Sequence, residues 1–153
     1  MSEQGFEKSS EQFADISGQI TTFSCNDEVY AFDIKDITDI MEVPDITPIP
    51  KLPEFLPGVI NLRGQVVPVM DFNLRMGKPK QDYDEKTCII VTEREKANIG
   101  IIVNRVIDVE LITAKDIIPY PQKNSVIRGY IERGGIREAL IDWYALVEME
   151  KTD

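Results

Sequence analysis

The chain has no histidine, two cysteines and one tryptophan in 153 residues. Without histidine, the side chain most often used as general base or metal ligand near neutral pH is missing. Cys25 and Cys88 lie in separate apolar runs and make no metal-binding pair. No G-x-x-x-x-G-K-[ST] or G-x-G-x-x-G run is present to cradle a phosphate. No stretch approaches the roughly 20 apolar residues that a membrane helix needs. The opening residues lack the basic start and apolar core of a secretory signal, which predicts a cytoplasmic protein with reduced cysteines. Basic residues are few: 17 Lys and Arg stand against 27 Asp and Glu, a net charge of −10. That balance opposes binding to a phosphate backbone or insertion into an anionic membrane surface. Aromatics are only 8%, too few for the stacking platform of a single-strand-binding barrel.

Carboxylates are plentiful but unorganised. Asp82, Asp84 and Glu85 resemble the start of a calcium loop, yet the glycine needed at its sixth position is missing. Asp33, Asp36 and Asp39 recur every third residue and suit the solvated face of a short helix. Nothing around them sets two pKa values apart, so they make no acid–base pair. The expectation is a protein that is not an enzyme and holds no cofactor or metal.

What is present is a duplication. Gly58–Asp71 aligns without gaps on Gly129–Asp142, matching Gly58 with Gly129, Ile60 with Ile131, Gly64 with Gly135 and Asp71 with Asp142. The same offset of 71 places Pro48-Ile-Pro50 on Pro119-Tyr-Pro121. Upstream, at an offset of 69, Ala31–Ile34 falls on Gly100–Val103 and Ile37–Ile40 on Val106–Val109. Four blocks in one order indicate two repeats, near 18–85 and 86–150, after an acidic tail over 1–17 expected to be disordered and dispensable.

Each repeat opens with two runs rich in β-branched and aromatic residues, joined by turn candidates at Asn26-Asp27 and Lys96-Ala97-Asn98. Proline-punctuated loops follow, then a strand, a glycine turn and another strand. Asp71 and Asp142 read as N-caps and Gly58, Gly129 and Gly135 as turn residues. The fold predicted is mainly β: two tandem five-stranded barrels, SH3-like or OB-like, sharing a hydrophobic seam, with strand exchange possible. Helix is confined to pieces near 35–41, 72–76 and 143–150.

Ile34, Ile37 and Ile40 admit two readings. One is core packing. In the other, Ile40 and Val43 edge a groove between the barrels that accepts a partner helix, with Cys88 and Ile89 lining it. Arg63 does not recur, because Gly134 is its counterpart, so the fold can build that turn without it. It is either a solvated turn residue or a functional one.

Gly58-Val-Ile-Asn-Leu-Arg-Gly64 with Val66-Val-Pro-Val-Met-Asp71 strongly resembles the signature segment of the CheW family. Glu28–Ile34, Asn98–Val103 and Gly129–Asp142 agree in order, so the resemblance covers residues 18 to 148. It implies a stand-alone adaptor that couples methyl-accepting chemoreceptors to the histidine kinase CheA at membrane-associated arrays. The alternative is a scaffold for a pilus or developmental array. The family implicates the arginine of its N-L-R-G motif, here Arg63, in partner binding, and pairs it with the acidic position held by Asp39. Asn61, Leu62, Gly64 and Val66 are placed with it as partner-binding residues. Asp39 recurs as Asp108, so a structural cap also accounts for it.

Overall fold

The computed structural model describes residues 12–122 and 125–148. The fold is mainly β, with eleven strands in two sheets among the described residues. They are β1 (Gln19–Cys25), β2 (Glu28–Asp33), β3 (Ile37–Glu42), β4 (Gly58–Leu62), β5 (Gln65–Asp71), β6 (Cys88–Arg94), β7 (Ala97–Val103), β8 (Arg105–Leu111), β9 (Ile118–Pro119), β10 (Ile127–Arg133) and β11 (Ile136–Ile141). Two short helices, α1 (Phe72–Arg75) and α2 (Trp143–Val147), follow β5 and β11. One sheet runs β8-β1-β2-β11-β10-β9, the other β3-β6-β7-β5-β4.

The registers carry the duplication residue by residue. Gly58 pairs with Val69 in β4–β5, and Gly129 with Leu140 in β10–β11, both 71 positions on. Val69 lies parallel to Gly100, and Leu140 parallel to Ala31. Each sheet therefore joins the hairpin that opens one repeat to the hairpin that closes the other. The two-residue β9 has its counterpart in the single bridge between Thr47 and Val59, which is why the sheets count six and five strands.

Gly58 and Gly129 sit in strands rather than turns, which corrects the reading of both. A Cβ on Gly58 would lie 2.0 Å from the Thr47 carbonyl oxygen, and one on Gly129 2.6 Å from that of Ile118. The bare backbone is needed there for close approach. Gly135, with φ +79°, does occupy a turn. Asp71 and Asp142 cap α1 and α2, their carboxylates accepting the backbone N–H of Leu74 and Ala145 at 3.2 Å.

The apolar spacing at 34, 37 and 40 suits a helical stretch or a bent strand, and the structure corrects the helix expected near 35–41 to the second. Ile34–Asp36 makes one 3-10 turn and Ile37–Glu42 is β3, because pairing with β6 offers the β-branched residues a ladder that local propensity does not foresee. The three aspartates consequently share no helix face. Asp33 and Asp36 are buried, and Asp36 pairs with Arg94. The β6–β7 turn is Glu95-Lys96, with φ +50° and +70°, one residue earlier than the sequence suggests.

The chain divides into two compact units. The first holds Val29–Lys35 with the described residues before 23 and after 106. Its core is Phe13, Ile20, Ala31, Ile112, Ile117, Ile131 and Leu140. Phe13 is fully buried, Ile16 packs beside it, and Asp15 pairs with Lys35 and Arg128. The tail expected over 1–17 is thus structural from residue 12, since Phe13 and Ile16 are three apart and supply one apolar face. Residues 1–11 lie outside the described ones. The second unit holds Phe23–Glu28 and Asp36–Val106, with a core of Ile60, Val67, Val69, Ile89, Val91 and Ile102.

Candidate functional site

The site lies in the second unit, where the β4–β5 turn meets β3. The two residues between Leu62 and Gln65, Arg63 and Gly64, have φ of +52° and +84°. Positive φ at both central positions is the pattern of a type I′ turn, whose twist matches the flanking strands. Gly64 adopts it freely, whereas for arginine a left-handed backbone costs roughly 1–2 kcal/mol. The side chain is 78% exposed, and its Nη2 donates to Asp39 Oδ2 at 3.0 Å. An exposed pair of this kind contributes about 0–1 kcal/mol. It offsets part of the strain, so the pair gives the arginine no stability advantage over the glycine of the duplicate turn.

Asp39 is held in turn. Its Oδ1 accepts the N–H of Ile40 at 2.8 Å, and a register irregularity between Ile37 and Asp39 bends the strand there. Thr38 donates its hydroxyl to the Val91 carbonyl. Asp108 accepts from Val109 N–H at the same 2.8 Å, so that local bond belongs to both copies. The contact with Arg63 has no counterpart from Gly134, which has no side chain. β3 and β4 end the five-stranded sheet on opposite sides, yet the turn after β4 reaches Asp39. The sheet curls to bring them together.

The other residues expected at the site separate by exposure. Ile40 is 42% exposed and Val66 70%, while Asn61 and Gly64 are exposed at the turn. Leu62 and Val43 are half-buried and pack on the core cluster. Ile89 has no exposed surface and pairs with Met41 inside that core. It is therefore a packing residue and lines no groove, contrary to the expectation from sequence. Cys88 is half-buried beside Glu42, and burial pushes its thiol pKa up. Burial likewise pushes Cys25 up to about 12, so both thiols are protonated at neutral pH. Ile34 and Ile37 are half-buried, which suits core packing rather than contact.

Tyr83 was not singled out by the sequence. Its hydroxyl donates to Asp71 Oδ2 at 2.8 Å, so the carboxylate that caps α1 also pins the segment between the repeats. An isolated tyrosine among polar residues carries no signal for this. Tyr83 lines a cleft of about 360 Å³ with Glu42, Val43, Asp84, Glu85 and Thr87. Asp84 there has a local role, since it accepts the N–H groups of Lys86 and Thr87.

Residues 19–149 match the family described as the CheW-like domain. The chain belongs to the CheW-like family. It is 34% identical over 107 residues to the chemotaxis protein CheW of Klebsiella aerogenes, covering 70% of this chain and 64% of that protein. Against the chemotaxis protein CheW of Rhizobium meliloti it is 30% identical over 116 residues, covering 76% and 75%. The crystal structure of the scaffolding protein TtCheW from Thermoanaerobacter tengcongensis superposes with a TM-score of 0.81 at 31% identity, covering 87% of this chain and 94% of that one. The CheW fold consists of two SH3-like halves, and the two duplicated sheets described above are those halves.

Proposed function

We propose that this CheW-family chain is a non-catalytic adaptor that couples methyl-accepting chemoreceptors to the kinase CheA in the cytoplasm. Its named relatives are chemotaxis and scaffolding proteins, and nothing in the fold favours a pilus or developmental array. The observation that carries the reading is Arg63: a strained, exposed arginine directed at Asp39 where the duplicate turn has glycine. Positive φ alone does not single it out, since Glu95 and Lys96 share it; the contact with Asp39, which the duplicate turn cannot make, does. Exposed Ile40, next to Asp39 in β3, and Val66, three residues after Arg63 in β5, supply the apolar area that such a contact needs. The effect on the kinase is one of proximity, since organising two partners raises their effective concentration without chemistry.

Reconstitution tests this. Added to kinase alone, the protein changes its activity little; added with receptor, it changes it strongly. Arg63→Ala weakens receptor coupling about tenfold or more while the fold persists, as expected where an interface charge loses its partner. Strong activation of kinase in the absence of receptor would overturn the adaptor reading.

A further inference from the structure

We propose that Asn61 is a positioning residue that sets the direction in which Arg63 leaves its turn. The inference rests on the coupling role given to Arg63 above. Asn61 Oδ1 accepts the backbone N–H of Gly64 at 3.0 Å. That N–H belongs to the peptide between Arg63 and Gly64, the central peptide of the turn. Its orientation decides whether the turn is type I′ or its flipped form, and thereby the backbone angle from which the arginine side chain departs. With Gly64 N–H held by Asn61, the peptide is locked and Arg63 Nη2 arrives 3.0 Å from Asp39.

The duplicate hairpin lacks the device. Glu132 stands at the position of Asn61, and its carboxylate accepts instead from Arg137 at 3.1 Å across the strands. Its turn is Gly134-Gly135, with no side chain to aim. The locking bond occurs in the copy that has an arginine to direct. Asn61 thus acts through the backbone, although it is exposed and stands opposite Val66 on the same hairpin.

The experiment combines Asn61→Ala, Asn61→Asp and Arg63→Ala, singly and with Asn61→Ala in the Arg63→Ala background. Two readouts are followed: the guanidinium resonances of Arg63 by NMR, and affinity for a receptor cytoplasmic fragment in the presence of kinase. Asn61→Ala should broaden or shift the Arg63 resonances and weaken binding about fivefold, the worth of one hydrogen bond. Asn61→Asp, which keeps the acceptor, should restore both. In the Arg63→Ala background, Asn61→Ala should cost nothing more. An additive loss in the double variant would instead make Asn61 a direct contact and overturn the proposal. So would unmoved Arg63 resonances in Asn61→Ala. If the resonances move but neither single variant changes binding, the positioning stands and the coupling role of Arg63 falls.

Discussion

The β4–β5 and β10–β11 hairpins have the same register and the same two-residue turn with positive φ, and they use them differently. The second satisfies its charges within itself: Glu132 pairs with Arg137, whose guanidinium lies 4.9 Å from the Tyr130 ring centre. The first places Val66, largely exposed, where the second has Arg137, and sends Arg63 to another strand. In the second copy both turn positions are glycine, which adopts positive φ freely. The first copy departs from that solution at Arg63, the residue to which the proposed function assigns the partner contact. The same comparison separates barrel residues, alike in both halves, from residues that one half has acquired.

The cores offer the largest test of how alike the halves are. Each takes an aromatic from the segment leading into a sheet: Phe13, six residues before β1, and Tyr83, five before β6. Phe13 is buried completely, with Arg128 stacked 5.0 Å from its ring centre. Phe13→Ala is expected to cost about 3–5 kcal/mol in urea unfolding, the range for a large aromatic removed from a core. A loss below about 1 kcal/mol would show that the segment merely rests on the unit and that the duplication alone builds its core.

Much of this is legible in the sequence. The repeats, the capping aspartates and the hairpin turn at Asn26-Asp27 follow from spacing and local residue chemistry. Asn and Asp tolerate positive φ, so that turn announces itself; its counterpart Glu95-Lys96 does not, because long charged residues give no such signal. The spacing of Ile34, Ile37 and Ile40 suits a helix as well as a bent strand, and only pairing with β6, some fifty positions away, decides for the strand. Phe13 was hidden by its polar neighbours, and burial of Ile89 could not be told from exposure in a continuous apolar run.

A buried acid makes the next contrast. Glu138 stands where the first copy has Val67, and both are almost fully buried. Glu138 lies near Arg133, which also approaches Glu110 at 2.9 Å. Burial, reinforced by Glu110, pushes the Glu138 carboxyl up to about 7 from an ordinary 4.5, against the opposing pull of Arg133. A carboxyl with a raised native pKa holds its proton more tightly when folded. Stability therefore falls as pH rises from about 4.5 through about 7, and the penalty is complete above that range. Melting temperature should decline between pH 5 and 8 in the parent. Glu138→Val, which installs the first copy's residue and leaves Arg133 paired with Glu110, should flatten the decline and add about 1–3 kcal/mol at pH 8, where the ionised Glu138 carries its linkage penalty. An unchanged pH profile in the variant would assign the decline to other groups.

The smallest expected change in stability belongs to Arg63→Gly, which turns the first hairpin's turn into Gly-Gly like the second. Three terms nearly cancel. Relief of the left-handed arginine returns roughly 1–2 kcal/mol. Loss of the exposed pair with Asp39 removes about 0–1 kcal/mol, and the greater freedom of glycine in the unfolded chain removes about 0.4–1 kcal/mol. The variant should melt within a few degrees of the parent while receptor coupling falls as in Arg63→Ala. The reciprocal change, Gly134→Arg, should lower stability by about 1–2 kcal/mol, because it brings in the strain without a carboxylate placed as Asp39 is. It should leave coupling untouched. Normal coupling by Arg63→Gly, measured with receptor and kinase together, would mean that the two turns differ by drift and that the arginine is solvated. A fall of several kcal/mol in its stability would instead make Arg63 part of the sheet's curl, with Asp39 as its structural partner.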